Sequence, residues 1–163
     1  MFSYLFVLKT TLQSDTYRKY FIFNGLLVWR ILMKNLENGA VLLARIMMPI
    51  LFIVAGYGKL GDAYAGTQQY MQAMGVPGFL LPLTILLELG GGLAILFGFL
   101  TRTVALFTAG FTVLTALLFH IDFSVAPNSL MFMKNFTIAG GFLLLAVTGP
   151  GKFSIDHLLN KKW

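Results

Sequence analysis

Apolar positions along this chain gather into four long runs, separated by short polar or glycine-containing stretches. The runs cover about Ala40 to Gly58, Phe79 to Phe99, about Thr103 to His120, and about Leu130 to Thr148. A bilayer core about 30 Å thick needs roughly 20 apolar residues of helix to cross it. Because lipid offers the backbone no hydrogen bonds, each run must satisfy its own amides, which predicts helix for all four. The expected fold is an all-α integral membrane four-helix bundle with antiparallel, up-down spans.

The connections add detail. The turn "LTRT", residues 100 to 103, is too short for anything but a hairpin between the second and third spans. The stretch from Lys59 to Gly78, "KLGDAYAGTQQYMQAMGVPG", is long enough to predict a short surface helix closed by the Gly75-Val76-Pro77-Gly78 turn. Pro127 and Asn128 mark a turn before the fourth span.

Composition agrees with a membrane protein of one domain. Hydrophobic residues make up 58% of the 163, charged residues 11%, and mean hydropathy is +0.81, too few charges to clothe a water-facing surface. The net charge of +6 raises the question of nucleic acid. The basic residues, however, sit mostly at the ends of apolar runs, with no aromatic-and-basic stripe for a single strand, so nucleic acid is excluded as a partner and the bilayer is taken as one. Arg30, Lys34, Arg102, Lys152, Lys161 and Lys162 fall on one side, Lys59 and Lys134 on the other. By the positive-inside rule both termini are expected in the cytoplasm.

Residues 1–32 stand apart as an N-terminal extension to the 33–163 membrane domain. Their two apolar stretches are each too short to span, and no small-residue cleavage site follows them. Two readings stay open: a basic amphipathic helix in the interface, or an in-frame extension upstream of a start at Met33.

Ionisable residues inside spans are costly, about 2.5–3.5 kcal/mol each on insertion scales, and mark candidate function. The polar cluster here is Arg45, Glu88, His120, Lys134 and Asn135. At 1.5 Å per residue, Arg45 lies about 8 Å inside the cytoplasmic boundary, Glu88 about 13 Å from the outer one, and Lys134 roughly 6 Å below it. Thr84, Glu88, Gly91 and Gly92 share one face of the second span. Arg45, Pro49, Phe52, Gly56 and Lys59 share one face of the first. Small residues allow close helix approach in lipid, so the glycines after Glu88 predict that its face packs inward. Two roles follow for the carboxylate. It pairs with Arg45 and fixes helix register, or it belongs to a pocket with His120, Lys134 and Asn135 that opens toward the outer leaflet and takes a quinone head group.

Other chemistry is poorly served. Cysteine is absent, which removes disulfides, thiolate metal sites and iron–sulfur ligation. His120 with Asp122 makes a poor ligand set, so no metal site is expected. Gly90-Gly91-Gly92 lies inside a span and lacks the strand-turn-helix setting of a phosphate loop. The methionine pairs Met47-Met48 and Met131/Met133 are apolar filler. No catalytic residue is assigned.

The strings "LLARIMMPILFIVAGYGKL", "LELGGGLAILFGFLTR", "LFH" and "KNFTIAGGFLLLAVTGPG" together resemble the DoxX family of small bacterial inner-membrane proteins. The likeness covers roughly Met33 to His157. It rests on the joint pattern of Arg45 in span one, Gly56 to Lys59 at its end, Glu88 in span two, Thr101-Arg102 in the turn and Lys134-Asn135 in span four. It implies a four-span bundle and, for function, an accessory protein linked to respiratory or redox processes. The alternatives are a small-molecule or ion transporter and a quinone-dependent membrane oxidoreductase subunit. Some related branches carry cysteine pairs. Their absence here argues against a thiol-redox role. The extension lies outside the resemblance, which favours a start at Met33.

Overall fold

Glycine punctuates this chain where helices must cross closely or stop, and the helices are laid out accordingly. The structure, a computed structural model, describes residues 15–159. Among these there is no strand. Five longer helices and one short one follow in order. They are α1 (Asp15–Tyr57), α2 (Ala63–Ala73), α3 (Gly78–Phe97), α4 (Thr101–Phe119), α5 (Asn128–Thr148) and α6 (Ile155–Leu158). Four of them, α1, α3, α4 and α5, are long and apolar enough to cross a membrane.

The chain forms two compact units that meet between Gly39 and Ala40. In the first, the described residues are helical from Asp15. Phe23, Leu26, Val28, Trp29 and Ile31 are all exposed, so apolar residues point to every side. The expected boundary between an upstream segment and the first span is therefore not a break in the helix. Arg30, Lys34 and Glu37 interrupt the hydropathy but are good helix formers, and a charge does not end a helix. Residues 1–14 lie outside the described part.

In the second unit, α1 from Ala40 on runs antiparallel to α3. A Cβ on Gly56 would lie 2.6 Å from the Leu89 amide nitrogen, and one on Gly92 2.8 Å from Ile53. Arg45 donates to the carbonyls of Ile95 and Leu96. These three levels fix the register, and they show that α1 ends beside the middle of α3. The first ten residues of α3, about 15 Å of helix, extend beyond that crossing.

Helix α2 packs beside the overhang. Its Tyr64, Thr67, Gln68 and Met71, spaced three and four apart, form its less exposed face. Met71 joins Val76 and Leu81 in a small core flanked by Leu80, Ile85 and Phe119, and Gln68 donates to the Gly78 carbonyl at 3.2 Å. The expected surface helix is thus half embedded. Its sequence is amphipathic, and α3 offers it an uncovered apolar flank.

The main core lies below. Phe52, Ile95, Ala105, Ala109, Ala139, Phe142 and Leu145 cluster there, with Phe52 edge-on to Phe142 at 5.2 Å. The alanines let α4 and α5 approach closely, as small residues do in lipid. Large apolar side chains such as Leu86, Phe107, Leu144 and Val147 point outward, as a lipid-facing surface requires.

Candidate functional site

Glu88 sits where α3 is irregular. Residues Leu86–Gly90 form a single π-helical turn between two α-helical stretches. Such turns are rare and concentrate at functional sites. No residue pattern announces this one. The nearest signal is the glycine run that follows it, which lowers the cost of irregular backbone and clears the crossing with α1.

Glu88 is buried, and its partner is Lys59. Lys59 Nζ donates to Glu88 Oε2 at 2.6 Å and to the Ala55 carbonyl at 3.2 Å. The two side chains are 24% and 11% exposed, so the pair is largely withdrawn from solvent. The register explains the meeting. Because α1 stops at Tyr57 beside Leu89, the residues just past its end lie level with Glu88 rather than at the membrane surface. Breaking such a pair by removing one partner typically costs about 3–5 kcal/mol.

The pair lines a cavity of about 350 Å³ between α2, α3 and the second half of α4. Its walls are mostly apolar, including Leu80, Leu83, Leu87, Leu114 and Leu118. Thr84, Thr115 and Thr67 add hydroxyls, although each donates its hydrogen to a backbone carbonyl: Thr84 to Leu80, Thr115 to Thr112 and Thr67 to Ala63. Tyr70 stacks on Phe119 at 5.7 Å, and both line the cavity. Volume and character suit a small ligand with an apolar body and few polar anchors.

His120 also lines this cavity. It stands at the end of α4, about eight residues beyond the level of Glu88, hence about 12 Å away along the helix axis. Asn128 Nδ2 donates to the Asp122 carbonyl at 2.9 Å, which turns Asn128 Oδ1 toward His120 Nδ1 at 3.4 Å. Nδ1 therefore carries the proton in the neutral ring, and Nε2 is left as an acceptor. Asp122 is occupied within its own loop. The Ser124 hydroxyl and amide both donate to it and hold its carboxyl below the ordinary range. Among the described residues no three metal-ligating side chains gather.

The remaining members of the sequence cluster lie elsewhere. Arg45 is buried at the opposite end of α3, about seven residues or 10 Å from Glu88 along the axis. Its guanidinium donates to the carbonyls of Ile95 (3.0 Å), Leu96 (2.8 Å), Pro150 (2.8 Å) and Phe153 (2.6 Å). It closes the C-terminus of α3 and ties the segment after α5 to it. Gly98, in the left-handed region at φ 71°, leaves the guanidinium its space, since a Cβ there would overlap Arg45 Nη2. The expected Arg45–Glu88 pair is therefore not formed. Arg45 is level with the end of α3, not inside it, because α1 is offset along α3.

Two further groups complete that end. Asp156 accepts from the amides of Leu100 and Thr101 and from the Thr101 hydroxyl, capping α4. Arg102 donates to the Ala146 and Val147 carbonyls, closing α5. Lys134 is exposed with its ammonium 3.1 Å from Met131 Sδ, and Asn135 is half-buried on α5. Neither lines the cavity.

The residues that carry this site were only partly visible beforehand. Lys59 lies on the expected inward face with Gly56, but a lysine at a span end reads as a topology signal. Tyr70 and Thr115 give no signal at all.

Comparison with known proteins places these features in context. The DoxX family model matches residues 40–121. "Inner membrane protein YqjF" of Escherichia coli is 76% identical over 131 residues, which are 80% of this chain and all of that protein. "Inner membrane protein YphA" of the same organism is 38% identical over 124 residues, 72% of this chain and 88% of the relative. A Bacillus subtilis protein named "Putative oxidoreductase CatD" is 36% identical over 76 residues, 47% of this chain and 55% of its own length. No solved structure matches.

Proposed function

Since the chain belongs to the DoxX family and is a multi-pass inner-membrane protein, we propose that it serves respiratory or redox chemistry as an accessory protein, holding a small quinone-type ligand in the cavity beside Lys59 and Glu88. The observation that carries this reading is the cavity itself. An ion pair largely withdrawn from solvent borders a mostly apolar space of about 350 Å³ between spans. Lipid-facing surface has no use for such a pair, whereas a polar head group arriving from lipid does. The name of the Bacillus subtilis relative points the same way.

Arg102 and Lys152, near the Arg45 end, favour a cytoplasmic placement of that end, so the cavity would open toward the outer leaflet. A transport path would have to continue past Gly56 and Leu89, where α1 and α3 are in contact. That favours binding over conduction.

Purified full-length protein is expected to carry quinone detectable by mass spectrometry, and added short-chain quinone is expected to raise its melting temperature. Lys59→Met should abolish both effects. Wild-type protein free of quinone and unmoved by added quinone would remove this reading.

A further inference from the structure

We propose that the cavity selects a phenolic hydroxyl over a carbonyl or an ether, so that its preferred occupant is the reduced, hydroxyl-bearing form of a lipophilic ring. This rests on the cavity being a ligand site and goes further by fixing the chemistry of the head group.

The choice follows from counting hydrogen-bonding capacity at the ion pair. A lysine ammonium has three donors. Two are used, one on Glu88 Oε2 and one on the Ala55 carbonyl, and the third has no acceptor among the described residues. A carboxylate has two acceptor oxygens. Lys59 takes Oε2, while Oε1 accepts from no donor among the described residues. Among the described residues no fully buried polar side-chain atom lacks a partner, so Glu88 Oε1 remains accessible, and the Lys59 side chain is 24% exposed. Both residues line the cavity, so the pair has one donor and one acceptor to spare at its wall.

Three head groups answer this differently. A hydroxyl donates to Oε1 and accepts from Nζ, filling both. A quinone carbonyl accepts from Nζ and leaves Oε1 unpaired. A methyl ether does the same with a bulkier oxygen. An unpaired polar group in a low-dielectric site is the feature that lets a site reject a near-isostere. The walls favour a ring behind the hydroxyl. Leu83, Leu87 and Leu114 supply apolar faces, and Phe111 and the Tyr70–Phe119 stack supply aromatic ones. Charged head groups are disfavoured, because the existing pair is already neutral overall.

The test uses purified full-length protein in nanodiscs of uncharged lipid. Three probes of matched alkyl length are titrated: an alkylphenol, its methyl ether and a straight-chain alcohol, with a short-chain quinone run alongside. The alkylphenol is expected to bind at least ten times more tightly than its ether and than the alcohol. In Glu88→Gln, which replaces the charged acceptor by an amide, the phenol-to-ether ratio should fall below about threefold. The wild-type comparison stands without the variant if that protein does not accumulate. Equal affinity for phenol and ether would overturn the selection, and equal affinity for phenol and alcohol would overturn the ring. If quinone binds and the phenol shows no advantage, the selection fails while the cavity reading survives. If no probe binds, both fail.

Discussion

Gly56 of α1 and Leu89 of α3 meet so closely that a Cβ on the glycine would lie 2.6 Å from the leucine's amide nitrogen. This contact sets how far α1 reaches along α3. It brings the chain just after α1 level with Glu88, places Lys59 on that carboxylate, and leaves the overhang that α2 and the cavity occupy. The backbone on the far side cannot retreat cheaply. Gly56→Ala is therefore expected to destabilise the protein by about 1–3 kcal/mol, the usual range for overpacking. Gly140→Ala, where nothing lies within 4 Å of the added Cβ, should leave stability unchanged. Thermal unfolding in one detergent checks both, and equal stability of Gly56→Ala and wild type would contradict the register.

The ion pairing makes a separate prediction. Lys59→Met and Glu88→Gln should be strongly coupled, with the double variant recovering part of the loss of each single one, because each alone leaves a buried charge without its partner. Arg45→Gln and Glu88→Gln should be additive, since the two residues share no partner. A double-mutant cycle on melting temperature measures both. Coupling between Arg45 and Glu88 comparable to that between Lys59 and Glu88 would contradict the arrangement.

Much of this was legible in the sequence, and the limits are physical. The four spans, their helical character and the inward face of Glu88 follow from hydropathy and small-residue spacing. The partner of Glu88 does not, because depth was counted from span ends on the premise that all spans start level. An axial offset between α1 and α3 is a tertiary property, set by the glycines at positions 56 and 92 meeting particular neighbours, and it exchanges Arg45 for Lys59. Arg45, Arg102 and Asp156 are conspicuous as charges in apolar surroundings, yet each is bound to backbone at a helix end. Sequence marks them as unusual without saying whether a ligand or a helix terminus is what they answer. The π-helical turn at Leu86–Gly90 leaves no residue signature of its own.

Orientation can be checked directly. With Arg102 and Lys152 at the Arg45 end, a C-terminal green fluorescent protein fusion is expected to be bright and an alkaline phosphatase fusion inactive. An active phosphatase fusion would invert the topology and place the cavity at the cytoplasmic leaflet.

The N-terminal segment invites truncation. The alignment with the Escherichia coli relative takes 131 residues of this chain and leaves 32 outside it. The unit from Ala40 on holds both hydrophobic cores and the cavity. A chain beginning at Met33 is expected to insert, accumulate and melt like the full-length protein. Failure of that shorter chain to accumulate in membranes would assign residues 1–32 a structural role.

The site itself is tested most directly by photolabelling. Membranes containing the full-length protein are irradiated with an azido-quinone, and the modified peptides are mapped by mass spectrometry. Labels are expected on the inward face of α2, around Thr67 to Met71, and on α4 between Phe111 and Phe119, with labelling suppressed by excess unlabelled quinone and lost in Lys59→Met. Labels confined to the neighbourhood of Lys134 and Asn135, or spread over the outward-facing residues of α5 and insensitive to competition, would contradict a ligand site at the Lys59–Glu88 pair.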